Sequence, residues 1–323
     1  MNVMMRVLVT GANGFVGAAL CERLDASGIA TRAAVRSGSQ TRNLCSDIQK
    51  TAVGDIHATT DWLAALAGVT HVVHLAARVH VMREVSRDPL AEFRAVNTAG
   101  TINLARQAAA SGAKRFVYVS TIKVNGERTS GRSFSVDDNP HPEDAYAQSK
   151  LEAELALKEI GLNTGMEAVI VRPPLIYGPG VKGNFLSLMR VVRRGWPLPL
   201  ASCNNCRSLV GLTNFISLLE RCTTHPAAAD QVFLAADGED LSTPELLRRV
   251  AHALGKKARL LPFPSAMLNM AARIVGRPGI YERLCESLQV DANKARELLG
   301  WTPPLTLDEE LARTARWFLA SNP

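Results

Sequence analysis

The stretch VLVTGANGFVG, Val7–Gly17, decides how the rest of the chain is read. An apolar, β-branched run ends on Gly11, Gly14 and Gly17 follow at a spacing of three, and helical periodicity begins by Ala18–Ala26. Strand, glycine turn and helix in that order let backbone approach a diphosphate closely and aim the positive end of the helix at it. Gly11, Asn13, Gly14, Phe15, Val16 and Gly17 are therefore candidate dinucleotide contacts. A glycine turn alone can also be a plain strand-to-helix connection, so the surrounding pattern carries the argument.

Outward from that turn, strand and helix alternate. Thr31–Val35 reads as a second strand, Thr60 or Asp61 can cap a helix ending at Gly68, and Val69–Ala77 is a buried strand. A long helix over about Leu90–Ser111 is weakened in its middle by Gly100 and ended by Gly112. Arg115–Ser120 (strand), Tyr146–Ile160 (helix) and Glu167–Arg172 (strand) follow. The strands are continuous apolar runs, as expected of a parallel sheet covered on both faces. Beyond Arg172, PPLIYGPGVKGN and GWPLPLASCNNC crowd proline and glycine into what read as loops outside the sheet. A helix near Thr213–Cys222 and a strand at Gln231–Ala236 rejoin it, and a last helix near Leu307–Leu319 can return to the same lobe. The expected fold is α/β: a Rossmann-type doubly wound parallel sheet with a smaller α/β substrate-binding lobe. The first lobe is assigned to 1–175, with returns near 211–236 and 305–320, and the second to 176–210 and 237–304.

The 323 residues carry a net charge of +7 that is spread along the chain; its densest cluster, Arg190–Arg194, is short. No aromatic-interleaved basic patch accompanies it, which speaks against nucleic-acid binding. Of six cysteines only Cys203 and Cys206 are close in sequence, too few for a tetrahedral zinc site, so no metal is expected. The N-terminal residues lack the apolar run and cleavage site of a signal peptide, and no stretch is long and apolar enough to span a bilayer. Phe263–Gly276 is the most membrane-like piece, interrupted by Arg273. A cytoplasmic location without an integral membrane segment is expected.

The end of the second strand normally offers a carboxylate to the adenosine ribose of NAD. Here no acid lies between Asp25 and Asp47, whereas Arg32, Arg36 and Arg42 do. Arg36 is the candidate partner of a 2′-phosphate, so the cofactor is NADP(H) or NAD(H). Asp55, in VGDI, is placed by its sequence position over the adenine edge. Downstream, VST at Val119–Thr121 and AYAQSK at Ala145–Lys150 supply a hydroxyl and a Tyr146/Lys150 pair four residues apart. Such a pair shares a face on any helix surface; behind a nucleotide-binding start it becomes a proton donor with a neighbouring cation.

These motifs, in this order, resemble the extended short-chain dehydrogenase/reductases of the NAD-dependent epimerase/dehydratase type. TGANGFVG, GDI, HLAA, Asn97, VSTIKVNG, the YxxxK of AYAQSK, RPPLIYGPG and VDANKARELLGW all match. The resemblance implies catalytic roles for Thr121, Tyr146 and Lys150, with Ser120 as the alternative hydroxyl. It implies cofactor contacts at Asp55, Ile56, Leu75, Ala76, Ala77, Asn97, Tyr146, Lys150 and Pro173. Substrate contacts are implied at Thr121, Lys123, Asn125, Tyr146, Asn184, Arg207 and Arg283, with Arg277 an alternative to Arg283. Asn125 stands where the family usually has tyrosine. IKVNGERT looks like a subset of bacterial 4-reductases of UDP-4-keto-6-deoxy-N-acetylhexosamines, the UDP-N-acetylquinovosamine dehydrogenase type, which serve surface polysaccharide (O-antigen) synthesis.

A tyrosine hydroxyl can protonate the oxygen of a C4 ketone if its pKa falls toward neutrality, and a nearby ammonium favours that fall. The expected function is NAD(P)H-dependent reduction of a UDP-4-keto sugar at C4. The alternative is a UDP-sugar 4-epimerase (on UDP-N-acetylglucosamine or UDP-glucose) that keeps NAD bound, because the same three residues serve both. A non-catalytic NADP-sensing regulator and a sterol-type dehydrogenase are further readings; the first is opposed by the intact Tyr–Lys–Thr set, the second by the candidate diphosphate arginine. A UDP-sugar is the expected partner, and a homodimer is compatible with the sequence. His80 is a structural histidine in this reading.

Overall fold

The computed structural model describes residues 4–41, 43–79, 88–274 and 278–321. His80, Arg42 and Arg277 lie outside the described residues. In chain order the elements are β1 (Arg6–Thr10), α1 (Phe15–Ala26), β2 (Ala30–Arg36), β3 (Gln49–Val53), α2 (Leu63–Leu66) and β4 (His71–His74). Then come α3 (Pro89–Phe93), a π-helical stretch over Arg94–Gly100, α4 (Thr101–Ala110), β5 (Arg115–Val119), α5 (Ala145–Thr164) and β6 (Glu167–Arg172). The second half holds β7 (Leu175–Tyr177), α6 (Gly183–Arg194), β8 (Arg207–Gly211), α7 (Leu212–Thr224), β9 (Val232–Leu234) and β10 (Asp240–Leu241). It ends with α8 (Thr243–Ala253), α9 (Ser265–Ile274), α10 (Pro278–Cys285), α11 (Asn293–Leu299) and α12 (Leu307–Ser321).

Seven strands form one parallel sheet in the order β3-β2-β1-β4-β5-β6-β9. From β1 the chain runs outward to β3, then crosses back to β4 on the other side of β1. The order reverses between β1 and β4, and in open α/β sheets the crevice at the strand C-termini at that point is where ligands bind. One face buries Leu20, Leu24, Phe215 and Leu219 from α1 and α7. The other buries Trp62, Leu104, Leu157 and Ile160 from the α2–α5 side. This double covering is why the strands read as apolar runs.

A smaller three-stranded sheet, β10-β8-β7, lies over its own core of Tyr177, Phe185, Leu247, Val250 and Phe318. The prolines and glycines after Arg172 therefore punctuate β7, α6 and β8 rather than mark continuous loop. α6 buries Phe185, Met189 and Val192 at helical spacing, and Gly195 stops it in the left-handed conformation. α12 packs beside α8 in this second core, whereas the sequence suggested a return to the first lobe. β3 was missed because it is a half-exposed strand whose residues, QKTAV, form no apolar run. The predicted long helix is interrupted by the π-helical stretch. Its glycine, Gly100, lies so close to Ile56 that a Cβ there would sit 2.5 Å from the isoleucine Cγ2.

Candidate active site

The glycine turn sits at the switch point. Gly11 has φ +66°, and a Cβ on it would meet the backbone nitrogen of Ala76, just past β4, at 2.9 Å. A Cβ on Gly17 would lie 2.2 Å from the carbonyl oxygen of Gly11. The three segments can approach this closely only without side chains. Gly14 N donates to Gly11 O at 2.9 Å, and α1 starts at Phe15 with no side-chain cap, leaving its first amide groups pointing out of the turn. Asn13 flanks the turn, its carbonyl accepting from Asn43 Nδ2 at 2.7 Å. The cradle fits a dinucleotide diphosphate.

At the far end of β2 and β3, a cleft of about 370 Å³ is lined by Arg36, Ser37, Gly38, Ser39, Val53, Gly54 and Asp55. Arg36 Nη1 lies 3.6 Å from Asp55 Oδ1, and both side chains are exposed. The arginine expected to meet a 2′-phosphate thus has a carboxylate beside it. Arg32 is turned inward, donating to the carbonyls of Ala65 and Ala67 at the end of α2. Ile56 follows Asp55 and packs against the core on the α4 side. Leu75, Ala76 and Ala77 follow β4, with Ala76 N donating to Thr10 Oγ1. Asn97, buried within the π-helical stretch, bonds both the N–H and the carbonyl of Arg78 and donates to Ser149 Oγ. It thereby fastens the segment after β4 to α5. Pro173 follows β6, and its carbonyl accepts from Ile122 N at 3.0 Å.

Thr121, Tyr146 and Lys150 come from two adjoining pieces of backbone. Thr121 leads a short 3₁₀ turn after β5, its Oγ1 accepting from Lys123 N. Tyr146 and Lys150 are on the first turns of α5, which is capped by the Asp144 carboxylate accepting from Ala147 N at 2.7 Å. Lys123 Nζ holds the same Asp144, and Glu127, at 2.7 Å each. This ties the Thr121 loop to the start of α5. Tyr146 meets Phe93 edge-on at 5.9 Å. Ser120 Oγ is buried with no hydrogen-bond partner among the described residues.

The expected lowering of the Tyr146 pKa by Lys150 is not what the geometry gives. Burial, reinforced by Asp144, pushes the phenol up to about 12. Lys150 is fully buried and its own pKa is pushed down to about 7, opposed only by Glu154. Its Nζ lies 4.0 Å from the centre of the Tyr118 ring. A lysine stripped of water and only about half-charged at pH 7 lends a reduced positive charge to the phenol, and the tyrosine rests protonated.

Three buried groups around Lys150 escaped the sequence reading. His74 accepts or donates between Thr10 Oγ1 (2.6 Å) and Thr101 Oγ1 (3.0 Å), and burial together with Lys150 pushes it down to about 3. It stacks on Tyr118 at 5.8 Å. Glu154, one helical turn past Lys150, is paired with Arg172, whose Nη1 donates to Asn125 Oδ1 at 3.0 Å. Asn125 Nδ2 in turn donates to Ser135 O. The structure thus places Asn125 in a buried network behind the site. The signal available was the i, i+4, i+8 row Tyr146–Lys150–Glu154.

On the substrate side, Arg207 is on β8, and its Nη1 donates to Glu286 O at 2.9 Å. Burial lowers its pKa, with Glu286 opposing. The segment around Leu288 joins β8 to the loop that follows Thr121: Leu288 N donates to Cys206 O, and Thr129 N to Ser287 O. Asn184 is exposed on the first turn of α6, and Arg283 is exposed near the end of α10. Cys203 meets Cys285 rather than Cys206, with Sγ atoms 2.9 Å apart. No metal-holding cluster occurs among the described residues.

Residues 7–225 match the profile of the NAD dependent epimerase/dehydratase family. The chain is 47% identical over 319 residues to a UDP-glucose 4-epimerase of Vibrio cholerae, covering 98% of this chain and 96% of that one. It is 29% identical to an N-acetyl-alpha-D-glucosaminyl-diphospho-ditrans,octacis-undecaprenol 4-epimerase of Escherichia coli, over 96% and 94% of the two chains. The crystal structure of a UDP-glucose 4-epimerase of Thermus thermophilus in complex with NAD superposes with a TM-score of 0.78 at 25% identity, covering 98% and 100%. These relatives are epimerases, whereas the sequence motifs had favoured a 4-reductase. By its matched residues and by the 47% relative that it covers almost end to end, the chain belongs to the NAD-dependent epimerase/dehydratase family.

Proposed function

We propose that this protein is a UDP-sugar 4-epimerase that retains NAD, acting on UDP-glucose or UDP-N-acetylglucosamine. The observation that carries this reading is the near full-length likeness to the Vibrio cholerae UDP-glucose 4-epimerase. The reductase reading rested on Asn125 with its neighbours and on the arginine-bearing second strand; the Arg172–Asn125–Ser135 network gives that asparagine a structural use independent of reaction type, and Asp55 stands beside Arg36.

The residues fit a bound dinucleotide at the Gly11–Gly17 cradle and the Arg36–Asp55 cleft, where NAD supplies a reversible hydride acceptor for the sugar C4. Tyr146, which rests protonated, first passes its own proton to the neutral amine of Lys150; as phenolate it then takes the proton from the C4 hydroxyl as that carbon is oxidised, and it returns that proton when the carbon is reduced on the other face. Thr121 holds the same oxygen by a hydrogen bond, so its position is kept while the ring turns. Lys150 lies one helical turn behind Tyr146 and changes charge near neutrality, which lets it balance the phenol's proton without a net change in buried charge. Arg207 meets the diphosphate, with Asn184 and Arg283 beside it. Asp55 beside Arg36 leaves that end electrically balanced, which suits the plain ribose of NAD better than a 2′-phosphate.

The test is to incubate the protein with UDP-glucose, and separately with UDP-N-acetylglucosamine, and follow the sugar anomeric protons by NMR. The C4 epimer should form with no net change at the reduced-nicotinamide band. If neither sugar is converted, while UDP-4-keto-6-deoxy-N-acetylglucosamine consumes reduced cofactor one-for-one, the enzyme is a reductase.

A further inference from the structure

Two long stretches of this chain carry no acid. No Asp or Glu occurs between Glu167 and Glu220, or between Glu245 and Glu282, yet those stretches hold thirteen Lys and Arg. The chain's net charge is +7, so everything outside them sums to six negative charges. Arg172, Arg248 and Arg249 are used in ion pairs. Arg190, Arg194, Lys256, Lys257, Arg259 and Arg273 are exposed.

The same region carries an apolar edge. Residues 196–202 and 258–263 run side by side: Leu198 N donates to Arg259 O and Leu261 N to Leu198 O, both at 2.8 Å. Trp196 is 57% exposed at the start of this ribbon, with the Arg194 guanidinium 5.2 Å from its ring, and Leu261 is exposed near the other end. The ribbon leads directly into α9, where Met267, Met270 and Ile274 stand outward at i, i+3 and i+7, Ile274 being 79% exposed. Leu268 packs inward on the lobe's core. A helix on a water-facing surface normally carries polar residues on that stripe. An aromatic and aliphatic stripe bordered by lysine and arginine, with no acid in the ribbon or in α9 itself and Glu282 on the neighbouring α10, is the composition of a segment lying in a bilayer interface.

We propose that this edge of the smaller lobe docks on an anionic phospholipid surface. The α9 stripe, Leu261 and Trp196 enter the headgroup region while Lys256, Lys257 and Arg259 meet lipid phosphates. No described helix is long and apolar enough to cross a membrane, so the contact is peripheral. A second copy of the chain would set like charges face to face, which opposes self-association here. The inference does not depend on the reaction catalysed.

The full chain is sedimented with vesicles of phosphatidylcholine alone and of phosphatidylcholine mixed with phosphatidylglycerol. Partition should be at least about tenfold greater onto the mixed vesicles and should fall as salt screens the attraction. Met270→Glu with Ile274→Glu, and separately Lys256→Glu with Lys257→Glu, should each reduce it about tenfold at an unchanged unfolding midpoint. Should the α9 variant unfold, the lysine variant, in a solvent-exposed loop, carries the test. No partition, equal partition onto both vesicles, or partition indifferent to the lysine variant overturns the proposal. So does a vesicle-free dimer, seen by sedimentation velocity, that Met270→Glu dissociates, since the stripe would then belong to a second copy.

Discussion

Arg172 clasps Glu154 at two points inside the protein, Nε to Oε1 at 3.0 Å and Nη2 to Oε2 at 2.5 Å, with both side chains buried. β6 supplies the arginine and α5 the glutamate, so the pair bolts the helix that carries Tyr146 and Lys150 to the sheet one turn beyond Lys150. Removing one partner leaves an uncompensated buried charge. Glu154→Gln should cost about 3–5 kcal/mol in urea unfolding, while Glu154→Leu combined with Arg172→Met should lose less than either single change. Additive losses would mean that the two side chains are not acting as a pair.

Burial also sets a pH dependence. The Lys150 pKa falls from 10.5 to about 7 on folding, so between those values the unfolded chain binds the extra proton. Stability from this group therefore rises as pH increases from about 7 toward 10, and the penalty for its buried charge is fully present below 7. In Lys150→Met that contribution disappears. The stability difference between variant and parent should favour the variant most at pH 6 and shrink by pH 9, as read by chemical unfolding at each pH. A difference that does not vary with pH would place Lys150 in a wetter environment than the structure shows.

Tyr146→Phe removes one hydroxyl and leaves the edge contact with Phe93 intact. Folding and dinucleotide binding should survive while turnover falls about 10²–10⁴-fold, the range of a positioned proton-transfer group. Thr121→Val should lower turnover as well. If Thr121→Val is silent and Ser120→Ala is not, the unpartnered Ser120 hydroxyl is the working one.

The sequence was most informative where spacing and chemistry coincide. The Val7–Gly17 turn, the apolar strands and the Tyr146/Lys150 helix are local patterns, and each recurs in the structure at nearly the expected residues. β3 was not legible because edge strands need no apolar run, and α6 was hidden by the prolines and glycines that merely bound it. The Tyr146 and Lys150 pKa values could not be read either, because spacing shows that two side chains share a face but not how dry that face is. His74 became visible only when β1, β4 and α4 brought Thr10 and Thr101 to its two ring nitrogens.

Arg36 and Asp55 make the cofactor preference testable. With the carboxylate beside it, Arg36 should leave the parent favouring NADH over NADPH. Asp55→Asn frees the guanidinium for a 2′-phosphate and should raise NADPH affinity relative to NADH about tenfold, as one charge-assisted contact would. Dissociation constants from fluorescence titration give the ratio directly. A parent that prefers NADPH, with the preference lost in Arg36→Ala, would restore the arginine to the phosphate role.

Arg207 carries the heaviest demand on the substrate side. It is half-buried, its pKa is lowered by that burial, and its guanidinium donates to the carbonyl of Glu286, so it holds a charge only partly compensated by the protein. A diphosphate would complete that compensation. Arg207→Ala should raise KM for UDP-glucose about 10- to 100-fold with a smaller change in kcat, the loss expected of a charged hydrogen bond. UDP binding, measured by calorimetry without any turnover, should weaken by the same factor. Arg207→Lys should recover part of the loss, because the charge returns without the forked geometry. Arg283→Ala should change KM less, since its side chain is exposed and water screens its contribution. Were UDP to bind Arg207→Ala as tightly as the parent, the arginine would be a structural tie between β8 and the segment after α10, and the diphosphate contact would have to come from Asn184 or Arg283.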